Sequence, residues 1–145
     1  MNPDQNSPNR LVRTLLLASA MLSLVNATHA LDLTVVINNA KSTKGNVSVA
    51  IFDSAEKWRK ERLDGLLASA QATTKLVFRN LQPGTYGLTA FHDENGNGKL
   101  DSNLLGLPIE RYGFSRDATG NMGPASFADA KIELTVDTEL VINLR

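Results

Sequence analysis

Apolar and polar residues alternate with a period of two through most of the chain beyond residue 30. Leu33, Val35 and Ile37 alternate with Thr34, Val36 and Asn38. Val47, Val49 and Ile51 alternate with Ser48, Ala50 and Phe52. Leu76 and Phe78 share one face of a third run, and Tyr86, Leu88 and Ala90 one face of a fourth. Ile132, Leu134 and Val136 precede Leu140, Ile142 and Leu144. Successive strand residues point to opposite faces, so this pattern predicts six half-buried strands. Separated by turn residues, they indicate an all-β chain folded as a single antiparallel sandwich of immunoglobulin-like or transthyretin-like type.

The connections fit that expectation. Lys44-Gly45-Asn46 suits a bend after the first strand, and Asp137-Thr138 a tight hairpin between the last two. Gln82-Pro83-Gly84-Thr85 has the composition of a type II turn, with Pro83 presetting φ and Gly84 accepting positive φ. Residues 53–70 are the one helical candidate: Asp53 can cap, Glu56 follows three residues later, and charged positions continue. Trp58, within that stretch, is expected to plug one end of the sandwich rather than to present a ligand platform. Residues 102–129 have no sustained period but carry four glycines, two prolines and Tyr112, Phe114 and Phe127. Disordered tracts are poor in aromatics, so a long ordered loop on the sandwich is expected there.

The first thirty residues read as a secretory signal. Arg10 and Arg13 precede the 11-residue apolar stretch Leu15 to Val25, and Thr28-His29-Ala30 offers a cleavage site. The stretch is shorter than the roughly 20 residues that span a bilayer. Cleavage leaves residues 31–145 as one sandwich domain with no membrane span, destined for the periplasm or secretion. That domain holds 13 basic and 14 acidic residues, so no positive field attracts nucleic acid. Cysteine is absent, which excludes disulfides and thiolate chemistry.

The most chemically specific run is Asp93-Glu94-Asn95-Gly96-Asn97-Gly98-Lys99-Leu100-Asp101. Oxygen-bearing side chains stand at loop positions one, three, five and nine, and glycine stands at six. Asp93, Asn95, Asn97 and Asp101, with the carbonyl of Lys99, form a candidate Ca²⁺ loop. An EF-hand's glutamate at position twelve is missing, because Leu104 stands there. With two carboxylates in the loop, its dissociation constant is expected near the weak end, about 0.1–1 mM. Asn-Gly pairs are also ordinary turn chemistry, so a metal-free turn is the alternative.

The segments Leu81-Gln82-Pro83-Gly84-Thr85-Tyr86, Ala90 through Asp101, Tyr112-Gly113-Phe114-Ser115 and Gly123-Pro124-Ala125-Ser126-Phe127 closely resemble an uncharacterised bacterial family, domain of unknown function 2141. The resemblance implies a single exported domain and supplies no activity. The Leu-x-Pro-Gly-x-Tyr turn is also similar to that of transthyretin-like and collagen-adhesin B-type sandwiches, and fold likeness transfers no function.

Two functional readings stand. In the first, the calcium loop of a non-catalytic module organises a recognition surface, with Arg111, Tyr112, Phe114, Arg116 and Phe127 as candidate contacts for an envelope protein, peptide or glycan. In the second, a small envelope hydrolase uses His92, the only histidine after residue 30, with neighbouring carboxylates among Asp93, Glu94, Asp101 and Glu110. No serine elbow is visible, and carboxylates engaged by a cation make poor general acids. His92 itself is expected to be a partly buried imidazole bonded to backbone beside the cation loop.

Overall fold

A computed structural model of the chain describes residues 29–145; the signal expected at its start falls almost wholly outside them. The strands are β1 (Leu31–Asn38), β2 (Asn46–Phe52), β3 (Asp64–Ser69), β4 (Thr73–Leu81), β5 (Gly84–Asp93), β6 (Tyr112–Phe114), β7 (Ile132–Leu134) and β8 (Thr138–Asn143). A 3₁₀ turn, Ser115–Asp117, and one helical turn, α1 (Phe127–Ala130), complete the order. One sheet runs β4-β1-β8, the other β3-β2-β5-β6, and β7 pairs with the start of β5.

Leu33, Val35, Ile37, Val47, Val49, Ile51, Phe78, Leu88, Ala90, Leu134 and Ile142 are almost wholly withdrawn from solvent. They and Leu76 form one core between the sheets, with Ile132 and Leu140 packed at its margin. The period-two pattern thus holds, because alternate side chains of each strand enter one shared apolar layer. Each fully buried aliphatic side chain contributes about 1.5–3 kcal/mol.

Several local expectations are corrected. Residues 53–70 do not form a helix. Asp53 and Lys57 do pair at helical spacing, 3.2 Å apart, but Arg59 takes φ +58° and ends the turns. The apolar run that follows joins the sheet edge as β3, with Val49 opposite Leu66. Helix capping occurs instead at Ser126, whose side chain and that of Asp129 exchange the reciprocal bonds of a capping box ahead of α1. The Asp137-Thr138 connection is not a hairpin: β7 lies on β5 and β8 on β1, so the chain crosses between sheets there. β8 also runs parallel to β1, an exception in an otherwise antiparallel fold. Gly84 does not take positive φ; nearby, Asn80 does, at +58°.

Trp58 lies on the outer face of the β2/β5 sheet, over Gly87 and against Phe52, the last residue of β2. A Cβ at Gly87 would meet its ring at 2.8 Å and that of Phe127 at 3.0 Å. Phe52, Phe127 and Phe114 surround the indole, with ring centroids 5.1, 5.6 and 6.0 Å away. Its Nε1–H donates to the Ala125 carbonyl at 2.9 Å. This second cluster, which also buries Ala118, Ala125 and Ala130, anchors much of the 102–129 segment.

Candidate functional site

The oxygen-rich loop leaves the end of β5, and His92, Gly45 and Asp93 shape its base. His92 continues the inward face of Leu88 and Ala90 and is fully buried. Its Nδ1 accepts the Lys41 N–H at 3.1 Å and its Nε2 lies 2.7 Å from the Lys44 carbonyl. This pairing fixes the neutral tautomer with the proton on Nε2, and it ties the β1–β2 connection beneath the loop. Gly45, at φ +68°, passes so close that a Cβ there would collide with the Asp93 carbonyl.

Asp93, also buried, is the loop's internal anchor. Its Oδ1 accepts the N–H groups of Gly96 and Asn97 at 2.8 and 3.1 Å, and its Oδ2 that of Gly98 at 2.8 Å. Gly96 and Gly98 stand at φ +73° and +77°, so the bend expected at Gly98 is present, and Gly96 shares it. Asn95 Oδ1 accepts the Asn97 N–H at 3.0 Å, and Asn97 Oδ1 the Lys99 N–H at 2.8 Å. Both amide Nδ2 groups donate to the Asp101 carboxylate. Asp93, Asn95, Asn97 and Asp101 are thus gathered in one nine-residue turn, and Lys99 joins it through its backbone.

This donor set is oxygen-rich and suits a hard cation, but two of its members face Asp101 with nitrogen. Among the described residues, no three His, Cys, Asp or Glu side chains come together as a metal cage.

A clamp closes the loop from outside. Glu110 is buried, and its Oε1 accepts the Glu94 N–H while its Oε2 accepts the Asp101 N–H, each at 2.9 Å. One carboxylate therefore holds both ends of the turn. The intervening chain returns through a small hairpin in which Asn103 Oδ1 accepts the N–H groups of Leu105 and Leu107, and Ser102 bridges Pro108. Sequence reasoning named Glu110 only as a possible hydrolytic acid. Its hint was a lone carboxylate after the uncharged run Ser102–Ile109, which nothing local assigned to the loop.

Two residues after Glu110, β6 begins and pairs with Thr89, Ala90 and Phe91. Beside it opens a groove of about 920 Å³, whose lining includes Phe91, Tyr112 and Phe114 together with Leu105, Leu107 and Met122. Leu104, Leu105, Leu107, Ile109 and Met122 are all exposed, although apolar.

A family model described as "Uncharacterized protein conserved in bacteria (DUF2141)" matches residues 35–142. The chain belongs to this family. No curated protein and no solved structure matches the chain. The family match spans both sheets, the oxygen-rich loop, its Glu110 clamp and β6, so the site described above lies wholly within the family's extent.

Of the remaining candidates, Tyr112 and Phe114 line the groove, whereas Arg111, Arg116 and Phe127 do not. Phe114 is buried, and Tyr112 and Phe127 are half-buried against the Trp58 cluster. Arg111 is exposed and donates to the Asn39 carbonyl at 2.8 Å. Arg116 is exposed in the 3₁₀ turn at φ +62°. No helix among the described residues is long and apolar enough to cross a membrane.

Proposed function

We propose that this chain is an exported, non-catalytic binding module whose 93–101 loop takes Ca²⁺ and thereby sets the shape of the neighbouring groove. The observation that carries this reading is Glu110. It grips the backbone at both ends of the loop, and the chain runs from it directly into β6 on the groove wall. A change in loop geometry therefore moves the groove without any intermediary domain. In the proposed site, Asp93, Asn95, Asn97 and Asp101 supply side-chain oxygens and Lys99 its carbonyl. The cation replaces the two amide groups that now donate to Asp101. Magnesium suits such a loop less well, because it demands a tight octahedron.

The exposed leucines and Met122 make an apolar-edged groove, and exposed apolar clusters mark contact surfaces. The occupant that fits is an extended segment of an envelope protein or peptide carrying apolar side chains. A glycan fits this lining less well, since few polar side chains line it. The hydrolase reading lacks its base, because His92 has no exposed surface and both ring nitrogens face backbone groups.

Thermal melting with native mass spectrometry tests the cation. With a dissociation constant of about 0.1 mM, 1 mM calcium stabilises the fold by roughly 1.4 kcal/mol. Equal melting temperatures in chelator and in millimolar calcium would refute the proposal. Limited proteolysis at Arg111 and Arg116 then tests the coupling: calcium should slow cleavage at both.

A further inference from the structure

The two Asn-Gly pairs in the loop hold an arrangement that cation binding does not account for. Asparagine loses its side-chain amide when the next residue's backbone nitrogen attacks Cγ, and a following glycine leaves that nitrogen unhindered. The step is helped by an acceptor for the attacking nitrogen's proton and by a donor to the oxygen that becomes negative. Both are present, twice. At Asn95, the Gly96 N–H donates to Asp93 Oδ1 at 2.8 Å, Oδ1 accepts the Asn97 N–H at 3.0 Å, and Nδ2 donates to Asp101 Oδ2 at 2.6 Å. At Asn97, the Gly98 N–H donates to Asp93 Oδ2 at 2.8 Å, Oδ1 accepts the Lys99 N–H at 2.8 Å, and Nδ2 donates to Asp101 Oδ1 at 2.9 Å. Asn95 and Asn97 are exposed, and with open space around Gly96 and Gly98 nothing shields their attacking nitrogens.

We infer that this loop promotes its own deamidation at Asn95 and Asn97, with Asp93 as the proton acceptor. The glycine nitrogen bonds to Cγ as its proton passes to Asp93, and the carbonyl electron pair moves onto Oδ1, where the backbone N–H two residues on receives it. Collapse of this intermediate re-forms the carbonyl and breaks the Cγ–Nδ2 bond. Ammonia leaves with the proton that Asp93 had taken, relayed through water. Water then opens the succinimide. Attack at Cγ restores the backbone with aspartate, whereas attack at the main-chain carbonyl gives isoaspartate. The net change is one amide and one water to one carboxylic acid and one ammonia.

Conversion at both positions to aspartate would put carboxylates at loop positions one, three, five and nine, four in place of two. More ligand charge moves oxygen loops toward tighter calcium binding. That consequence rests on the calcium reading; the deamidation does not.

The test compares the freshly purified chain, folded, with the same chain unfolded in urea at one neutral pH. Peptide mass spectrometry follows amide-to-acid conversion, and chromatography separates aspartate from isoaspartate. Deamidation at both sites should run at least about tenfold faster in the folded chain. An equal or slower rate when folded would overturn the proposal, because the loop would then merely shelter ordinary Asn-Gly pairs. Asp93→Asn, verified as folded by circular dichroism, should slow both sites several-fold; an unchanged or faster rate removes Asp93 from the step. If that variant does not fold, the folded-against-unfolded comparison on the unaltered chain decides. Melting of aged and fresh protein with calcium is read separately. Deamidation without any calcium response would sink the cation reading and leave the chemistry standing.

Discussion

Glu110→Ala removes the carboxylate that grips the backbone at both ends of the oxygen-rich turn. The buried carboxylate accepts two backbone N–H groups at 2.9 Å, from residues 16 and 9 positions away. Hydrogen bonds to a charged group contribute about 1.5–3 kcal/mol each, so two set an upper limit near 6 kcal/mol. Burying the carboxylate offsets part of this, and the freed amides can be reached by water once the side chain is gone. A net loss of about 2–4 kcal/mol remains. With a urea slope of about 1–3 kcal/mol per M, the unfolding midpoint should fall by roughly 0.7–4 M. Glu110→Gln keeps one acceptor and turns an NH₂ toward the other donor, so it should lose at least half as much. Hydrogen exchange locates the effect: the Glu94 and Asp101 amides should lose protection while that of Val49 changes only with global stability. A midpoint shift corresponding to less than about 0.5 kcal/mol, a typical surface substitution, would refute the clamp. So would unchanged protection at those two amides.

Other outcomes follow from the same geometry. Ile142→Ala, at a fully buried core position, should cost about 2–5 kcal/mol in denaturant unfolding. Gly45→Ala should destabilise by more than about 3 kcal/mol or prevent folding, since positive φ and a collision with the Asp93 carbonyl coincide there; a near-neutral result would contradict this backbone approach. Burial, and secondarily the charge of Asp53, raise the Tyr86 phenol above its ordinary value of 10.0. The folded state then holds that proton more tightly, so its contribution is complete below about pH 10 and is lost as pH rises through the folded value. Tyr86→Phe should flatten this alkaline loss in unfolding measured against pH.

The sandwich was legible because its strands bury one face each, which writes a period of two into β1, β2, β4 and β5. Where burial does not alternate, the chain misleads. β3 is an edge strand with Leu67 exposed between Leu66 and Ala68, and its approach carries a capping pattern that the turn at Arg59 cuts short. β6 has three residues, too few to show any period. The oxygen spacing from Asp93 to Asp101 located the turn, and Gly98 its bend. Glu110 was hidden because its two partners are reached only after the 102–108 hairpin folds back, a long-range event that no local spacing records. The site of Trp58 was hidden for the same reason: its pocket is assembled from Phe52, Phe114 and Phe127, which lie far apart along the chain.

The place of β1 has a consequence for the timing of folding. It is the central strand of its sheet, held between β4 and the late strand β8, with Asn38 hydrogen-bonded to Asn143 across 105 positions. Loop closure over such distances slows folding, and here it also orders it. Until residues near 140 have left the ribosome, β1 lacks one of its two neighbours and Ile142 is missing from the core. The chain therefore lacks a finished three-stranded sheet until β8 has been made. Truncation just before Thr138 should leave a species that binds hydrophobic dyes and exchanges its β1 amides rapidly. Chaperones that act on unfolded chains thus have all the time until β8 is made in which to engage this one.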